Sequence, residues 1–518
     1  MRLSPAFRIG AVILGALTAA LLFALACRRD AIGLLADGYI YLLMAEALRS
    51  PDVAVPSWRW LAGQYPFPPL YPGVLAAVGA GPLALMPALA VNTGLLGTSA
   101  ALTMCWYRRL GIPRAPAFAI AAIWTTLPVT LLTALDVQSE PLYLALSLGA
   151  LLVLAAEPPP GAHGRWILAG VLCAAAGLTR TAGLSLLFAF SIAWVARGRR
   201  AGLLPLACGW LPVLAWQAGR HLMSLDASYS DNALGAAGTT ATALVARAAT
   251  MVDAMVYYAP RSFDLGAGWH VGIGVAVLAG LAAGTLLARL RRLEADAVYV
   301  AAYVVMILLW PYPHHARRFL FVLLPVLFGY ALIGLAHGAQ RFPRPSRQWI
   351  LLALPSLVLL FTWPSTTLMV AEIRRGGEGV AASVARSPAR YHVASPHAAL
   401  VQEEAFAPVR ALLTRAATRL PADACVMSPI PEVTMFHLRR EVRDMARHRK
   451  DPAAALRDCP YVLMVAFRNF PDNGLPPMFP YERLRDSLRV IDAAESEVGN
   501  GRRTVRALLA RHGEPVNP

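Results

Sequence analysis

Long apolar stretches alternate with short connections rich in arginine, proline and glycine up to about residue 366. Most of these stretches approach the length that an α-helix needs to cross a bilayer. We therefore predict an α-helical polytopic membrane protein with about eleven transmembrane helices. The predicted spans are residues 9–26, 83–107, 115–135, 141–156, 166–178, 182–196, 203–219, 271–287, 297–310, 319–335 and 349–363.

The region between residues 28 and 82 breaks this pattern, because proline, tryptophan and arginine interrupt its apolar runs. It is predicted to be a long first external loop with two interfacial helices, at 39–49 and 70–80. A cleaved signal peptide is the competing interpretation of the N-terminus. No small-residue cleavage site stands out before Cys27 and further spans follow, so the first helix is expected to be retained.

The chain after residue 366 changes to the alternation of a small soluble α/β domain. Strands are predicted at 424–427, 461–467, 489–493 and 503–508, and helices at 431–438 and 452–457. We therefore divide the chain into a membrane domain, 1–366, and a C-terminal domain, 367–518.

Charge supports the membrane assignment and gives the orientation. The chain is 57% hydrophobic and only 15% charged, and its net charge of +17 comes almost entirely from arginines clustered between apolar runs. With the N-terminus inside, nearly all of these clusters lie on the cytoplasmic side, as the positive-inside rule requires. This pattern is typical of membrane topology and argues against nucleic-acid binding. An odd number of spans places the C-terminal domain outside the membrane.

Asp37 lies where the first apolar helix gives way to the external loop, in the stretch DGYIY. A carboxylate at this depth meets lipid headgroups, and we interpret Asp37 as catalytic. The alternative is an N-cap for the helix that follows. Tyr39, Tyr41 and Tyr71 suit the interface and are predicted to face lipid or the acceptor. Glu46 is interpreted as a solvated or interfacial charge.

A second acidic stretch, Asp136 to Glu140, falls at the outer end of two adjacent spans. These two acids are predicted either to act with Asp37 on a hydroxyl or to hold a divalent cation. A structural alternative is that Ser139 or Asp136 caps the helix that starts at Pro141.

Basic groups occur on the same side of the membrane. Arg180 lies between two apolar segments and requires a partner, for which the carboxylates above are candidates, and it is also predicted to bind the donor phosphate. His314, His315, Arg317 and Arg318 precede a span and suit a phosphate, because guanidinium groups bind phosphate through charge-assisted bonds. The alternative is interfacial snorkelling.

The six cysteines show no CxxC spacing, which argues against a zinc site. Cys425 and Cys459 both lie in the polar C-terminal domain. If that domain is extracytoplasmic, a disulfide between them becomes feasible.

In their order, the motifs DGYIY, PPLYP, SEPLYLALSL, LTRTAGL and RRFLFVLLP resemble the GT-C glycosyltransferases. The branch they resemble is that of bacterial membrane enzymes related to protein O-mannosyltransferases and lipid A aminoarabinose transferases. The resemblance implies a bacterial inner-membrane enzyme with a periplasmic C-terminal domain. It would transfer a sugar from a polyprenyl-phosphate donor to a lipid, glycan or protein acceptor. Asp37 corresponds to the base, Glu140 to the second acid and Arg318 to the phosphate-binding arginine.

The sequence departs from that family at two positions. Gly38 follows Asp37 where many members have a second acid, and Phe67 stands where many have lysine before the PPL motif. Arg317, Arg318 or the two histidines are therefore expected to carry more of the phosphate binding. Two other functions stay open, a transporter or flippase for a lipid-linked saccharide and a non-enzymatic assembly protein.

Overall fold

The structure is a computed structural model that describes residues 4–28, 36–52, 56–155, 163–198, 201–225, 269–310, 316–386, 406–448, 451–468, 484–498 and 503–513, together with residue 400 and short pieces between 242 and 253. By its internal contacts the chain separates into two compact units. The membrane unit comprises 1–28, 62–74 and 86–370. The tail unit comprises 29–61, 75–85 and 371–518. The tail unit thus includes pieces of the predicted first external loop.

Helices dominate the first 386 residues, and their bounds follow the apolar runs. They are α1 (Pro5–Ala26), α2 (Ala36–Arg49), α3 (Trp58–Gln64), α4 (Leu70–Ala77), α5 (Met86–Arg109), α6 (Arg114–Thr125), α7 (Pro128–Leu135), α8 (Glu140–Leu154), α9 (His163–Thr179), α10 (Gly183–Ala193), α11 (Leu204–Leu222), α12 (Trp269–Leu290), α13 (Ala295–Leu308), α14 (Ala316–Gly338) and α15 (Arg344–Arg386). A π-helical turn, Trp194–Gly198, extends α10, and a 3-10 turn, Ala339–Arg341, follows α14.

Within the described residues, five helices are long and apolar enough to cross a membrane. They coincide with α1, α5, α12 and α14 and with the apolar part of α15. The pair α6 and α7 passes the same test together but bends by 54° at the break before Pro128. Three shorter apolar helices, α8, α10 and α13, accompany them. The chain is therefore a multi-pass membrane protein, and the count of eleven spans stays a prediction.

Packing in the membrane unit follows the rules of helices in lipid. Helices α1 and α5 approach so closely that a Cβ on Gly15 or Gly97 would collide with the backbone of the other helix. Small residues allow such contacts where no hydrophobic effect drives helices together. Ile9, Val12 and Leu17 on α1 are exposed, which is the expected state of side chains that face lipid.

The tail unit contains a five-stranded sheet in the order β2-β1-β3-β5-β4. Its strands are β1 (Cys425–Ser428), β2 (Glu441–Asp444), β3 (Tyr461–Arg468), β4 (Leu488–Val498) and β5 (Arg503–His512), and its helices are α16 (Ala407–Ala417), α17 (Pro431–Leu438) and α18 (Pro452–Asp458). Strand β1 pairs in parallel with β2 and β3, whereas β5 pairs antiparallel with β3 and β4.

The predicted strands and helices of this domain match observed elements, but α16 and β2 were not predicted. The four-residue β2 gives only a weak sequence signal, and α16 is a short helix of eleven residues whose apolar positions are interrupted by two arginines. Met427, Met445, Leu456 and Val462 form its core on one side of the sheet. Cys425 and Cys459 form a disulfide bond that joins β1 to the end of α18.

Candidate functional site

The segment between α7 and α8 carries the first group of predicted site residues. Asp136 is the extended residue that ends α7, and Glu140 is the first residue of α8, followed by Pro141. Ser139 occupies the N-cap position but makes no capping hydrogen bond, so the capping alternative is wrong for this residue. Asp136, Gln138, Ser139 and Glu140 are all buried. Four buried polar side chains within five positions require hydrogen-bond partners.

Two arginines from distant parts of the chain form ion pairs with Glu140. The Arg318 Nε donates to Glu140 Oε1 at 2.7 Å, and Arg180 Nη1 lies 2.7 Å from the same oxygen. Arg180 Nη1 also donates to the Ser139 hydroxyl at 3.1 Å. The Glu140 side chain is 1% exposed, and those of Arg180 and Arg318 are 14% and 9% exposed. We call these three residues the Arg–Glu–Arg cluster.

Local structure fixes both arginines. Arg180 follows the last residue of α9 in a tight turn into α10, where a Cβ on Gly183 would collide with the backbone of Gly177. Arg318 lies in the first turn of α14. Phe319, the next residue, lies under the Arg180 guanidinium at 6.0 Å from ring centroid to Cζ. One helix therefore contacts Glu140 and Arg180 at the same time.

The cluster contains more cationic than anionic groups. Its three side chains are two guanidinium groups and one carboxylate, with a formal charge of +1 counted over these three residues. Glu140 Oε2 is buried and has no hydrogen-bond partner among the described residues. A buried ion pair contributes little net stability once desolvation is counted, and charges within apolar helices commonly mark function. The cluster is therefore suited to binding an anion, with a carboxylate that holds the two cations in place.

Tyrosines surround the cluster, and the sequence analysis did not identify them. The hydroxyls of Tyr143 and Tyr299 lie 3.1 Å apart, and Tyr303 donates to the Phe319 carbonyl at 3.3 Å. All three rings are fully buried. The available signal was the spacing of Tyr299 and Tyr303, which places both on one face of α13.

Asp136 belongs to a separate hydrogen-bond network. Gln138 Nε2 donates to Asp136 Oδ2 at 2.7 Å, and Asn92 Nδ2 donates to the Asp136 carbonyl at 2.8 Å. The Tyr71 hydroxyl donates to Asn92 Oδ1 at 2.7 Å. Asn92 was also missed, although a lone amide within a predicted span is a signal of this kind of buried network.

An apolar cavity of about 530 Å³ lies between α12, α13, α14 and α15. Almost all of its accessible lining is apolar, with Ala283, Val304, Leu324, Phe328 and Phe361 among its walls. Leu320 and Leu324 of this lining lie on α14, the helix whose first turn carries Arg318.

Asp37 belongs to the tail unit, in the first described turn of α2. The predicted carboxylates are thus divided between the two units, with Asp136 and Glu140 in the membrane unit. Helix α2 is buried from Tyr39 to Ala47, so its assignment as an interfacial helix is wrong. Burial of this whole stretch, Glu46 included, places it in the core of the unit.

The three tyrosines that were predicted to face lipid or the acceptor are buried. Tyr39, Tyr41 and Tyr71 are at most 3% exposed, so the prediction that they face lipid is wrong. Tyr71 has its hydroxyl partner in Asn92, and the Tyr39 ring packs edge-on against Phe436 at 4.9 Å between centroids. Their contact with an acceptor stays a prediction.

Glu46 is a further correction, because it is buried rather than solvated. It forms an ion pair with Arg439, with Nη1 to Oε2 at 2.6 Å. His314, His315 and the Arg317 side chain lie outside the described residues. Within the described part of the chain, no group of three His, Cys, Asp or Glu side chains is placed to hold a metal ion, and the divalent-cation alternative stays a prediction.

Solved structures give the relationship of this fold to known proteins. No family model and no curated protein sequence matches the chain. The structure of ArnT from Cupriavidus metallidurans in the apo state aligns over 96% of this chain and 98% of its own length, with a TM-score of 0.51 and 15% identity. The chain has the fold of ArnT. The resemblance predicted from the motifs is thereby confirmed at the level of the fold.

The same ArnT has been solved bound to undecaprenyl phosphate. That structure aligns over 98% of this chain and 99% of its own length, with a TM-score of 0.51 and 16% identity. The alignment extends across the small C-terminal sheet as well as the membrane helices, so the shared fold covers nearly the whole chain.

Proposed function

We propose that the protein is a glycosyltransferase of the bacterial inner membrane that moves a sugar from a polyprenyl-phosphate donor to an acceptor at the periplasmic face. The observation that carries this proposal is the Arg–Glu–Arg cluster, in which two arginines from distant helices converge on one buried carboxylate. The ArnT of the same fold binds undecaprenyl phosphate, which supports a lipid-phosphate ligand here.

The proposed reaction is an inverting displacement. Asp37 accepts the proton of the acceptor hydroxyl as that oxygen attacks the anomeric carbon. The bond between this carbon and the phosphate oxygen breaks, and its electron pair leaves with the polyprenyl phosphate. About one negative charge develops on the leaving oxygen in this step. Arg180 and Arg318 stabilise that charge, and groups aimed at developing charge lower the barrier most effectively.

Glu140 has a positioning role in this scheme. Its carboxylate holds both guanidinium groups through one oxygen, so it does not itself need to contact the reacting atoms. Asp136 similarly stabilises the loop that leads into α8 through Gln138. These assignments refine the prediction that both acids are catalytic.

The apolar cavity supports a lipid donor. Its lining consists almost entirely of apolar side chains. Helix α14 contributes part of this lining and also carries Arg318. We assign the cavity to part of the polyprenyl chain, with the phosphate at the Arg–Glu–Arg cluster. Polar sugars or peptides would leave their hydrogen-bonding groups unpaired in such a cavity.

Two variants of the purified protein test this proposal. Asp37→Asn is expected to retain binding of polyprenyl phosphate and to lose transfer by about 10² to 10⁴-fold, the usual contribution of a general base. Arg318→Ala is expected to lose binding and transfer together. Full transfer by Asp37→Asn would refute the base assignment. Transport of the lipid-linked sugar without any transfer would instead favour the flippase alternative.

A further inference from the structure

We infer that Arg439 of the C-terminal domain is a positioning residue that holds the helix carrying Asp37, an inference that rests on the proposed function. Helix α2 and helix α17 belong to the same compact unit, although 393 residues separate Glu46 from Arg439 in the chain. The C-terminal domain therefore packs against α2, the helix that carries the proposed base.

Two contacts fasten one face of α2. Arg439 Nη2 donates to Glu46 Oε1 at 2.6 Å, and Arg439 Nη1 lies 2.6 Å from Oε2. Seven residues earlier, Tyr39 packs edge-on against Phe436 at 4.9 Å and lies 5.9 Å from the His437 ring. A separation of seven residues returns to the same face of a helix after two turns. Both contacts therefore attach the same face to α17.

Asp37 lies on the other face. At about 100° per residue, Asp37 is about 180° from Glu46 and about 160° from Tyr39 around the helix axis. The ion pair thus leaves the carboxylate of Asp37 on the side away from α17. Rotation of α2 about its axis would move Asp37, and the Tyr39 and Glu46 contacts oppose that rotation.

The backbone of Arg439 indicates that its side chain is required. Arg439 caps α17 in the left-handed conformation with φ of 56°. Glycine or asparagine is favoured at this position, because other residues are strained there. Arg439 makes one hydrogen bond to Glu46 through Nη2, and its Nη1 lies at ion-pair distance from the other carboxylate oxygen without a hydrogen bond. A position that favours glycine or asparagine is therefore occupied by an arginine that forms an ion pair with Glu46.

A third contact holds the C-terminal end of α2. Arg49 Nη1 donates to the Ala80 carbonyl at 3.3 Å, and Ala80 lies in the 75–85 segment of the same unit. This contact is independent of the C-terminal domain, so loss of Arg439 is expected to loosen α2 rather than to unfold it.

The test compares Arg439→Ala with Arg443→Ala in the full-length protein. Arg443 pairs with the exposed Glu441 at 3.1 Å on the nearby strand β2, so its variant is a matched control. Amide hydrogen exchange is followed in residues 36–49 and in the β4–β5 hairpin. Turnover and binding of polyprenyl phosphate are measured on the same samples. Arg439→Lys is a second, milder perturbing variant, and the exchanged pair, Glu46→Arg with Arg439→Glu, serves as the rescue variant.

Arg439→Ala is expected to accelerate exchange in residues 36–49, to leave the hairpin protected, and to keep the affinity for lipid phosphate. Turnover is expected to fall about 100-fold, the cost of misplacing a reacting group by about 1 Å. The exchanged pair is expected to recover part of this loss, and Arg443→Ala none of these effects. Unchanged exchange in 36–49, or wild-type turnover despite faster exchange, would overturn the inference.

The outcomes separate this inference from the proposed function. If Arg439→Ala also exchanges faster in the β4–β5 hairpin, the whole domain has been destabilised. Arg439→Lys then takes its place and is judged by exchange in residues 36–49 and by turnover, because lysine keeps the positive charge but not the planar guanidinium. If the wild-type protein transfers no sugar and Arg318→Ala binds polyprenyl phosphate normally, the proposed function fails. In that case Arg439 has no catalytic geometry to maintain, and the exchange data report its structural contact alone.

Discussion

Replacing Arg318 by alanine tests the electrostatics of the Arg–Glu–Arg cluster directly. The substitution leaves Glu140 with Arg180 alone, so the formal charge of the cluster falls from +1 to zero. For a phosphate about 5 Å away and an effective dielectric constant of about 20, one unit of charge contributes about 3 kcal/mol. This corresponds to a loss of about 100-fold in affinity for polyprenyl phosphate.

The assay is binding of a short-chain polyprenyl phosphate to the detergent-purified protein at fixed ionic strength. Arg197→Ala is the matched control, since Arg197 pairs with Glu294 at 3.2 Å elsewhere in the membrane unit. It removes one guanidinium from an ion pair and changes the net charge of the chain equally. Its affinity is expected to match that of the wild type.

The double variant Arg180→Ala with Arg318→Ala extends the series. It leaves Glu140 unpaired and the cluster at −1, so binding is expected to be undetectable and the fold less stable. Adding Glu140→Gln returns the cluster to neutrality and is expected to recover stability without recovering binding. If Arg318→Ala binds within threefold of the wild type, the cluster is not the phosphate site.

The remaining predictions concern stability, pH and the lipid chain. Glu140→Gln leaves two guanidinium groups without their carboxylate and is expected to cost about 3–5 kcal/mol, seen as a lower thermal unfolding midpoint, whereas an unchanged midpoint would contradict the cluster. Replacing Cys425 and Cys459 by serine opens a bond that spans 34 positions and is expected to cost about 4 kcal/mol in denaturant unfolding of the C-terminal domain. Burial lowers the pKa of His437 to about 4, below its ordinary value near 6.5. Stability is therefore expected to be full above about pH 6.5 and to fall by up to about 3 kcal/mol towards pH 4, while His437→Phe flattens this dependence. Ala283→Trp fills part of the apolar cavity and is expected to weaken use of long-chain donors more than short-chain ones; equal effects on both would contradict a lipid-chain site.

Sequence patterns predicted the elements best where apolar periodicity was strong. The predicted helix 431–438 coincides with α17, and the predicted span 83–107 lies within three residues of α5 at each end. Arg180 was expected to need a carboxylate partner, and the structure pairs it with Glu140. A charge within apolar sequence carries this information locally, because burial without a partner is too costly.

Long-range partners were beyond the reach of local patterns. Glu46 resembles a solvated helical charge, and nothing near it in sequence points to Arg439. The tyrosines around the cluster come from α8 and α13, and their convergence depends on how those helices pack. The same limit applies to the separation of Asp37 from Glu140 into two compact units, which depends on contacts made by the C-terminal domain.

The most direct test of the proposed function is a transfer measurement with lipid-linked sugars extracted from the native membrane. Purified wild-type protein is incubated with these donors and with envelope acceptors, and mass spectrometry follows both products. The proposed function predicts that free polyprenyl phosphate and glycosylated acceptor form in equal amounts, and that Asp37→Asn and Arg318→Ala form neither. Absence of both products with the wild-type protein, or their formation by Arg318→Ala at the wild-type rate, would contradict it.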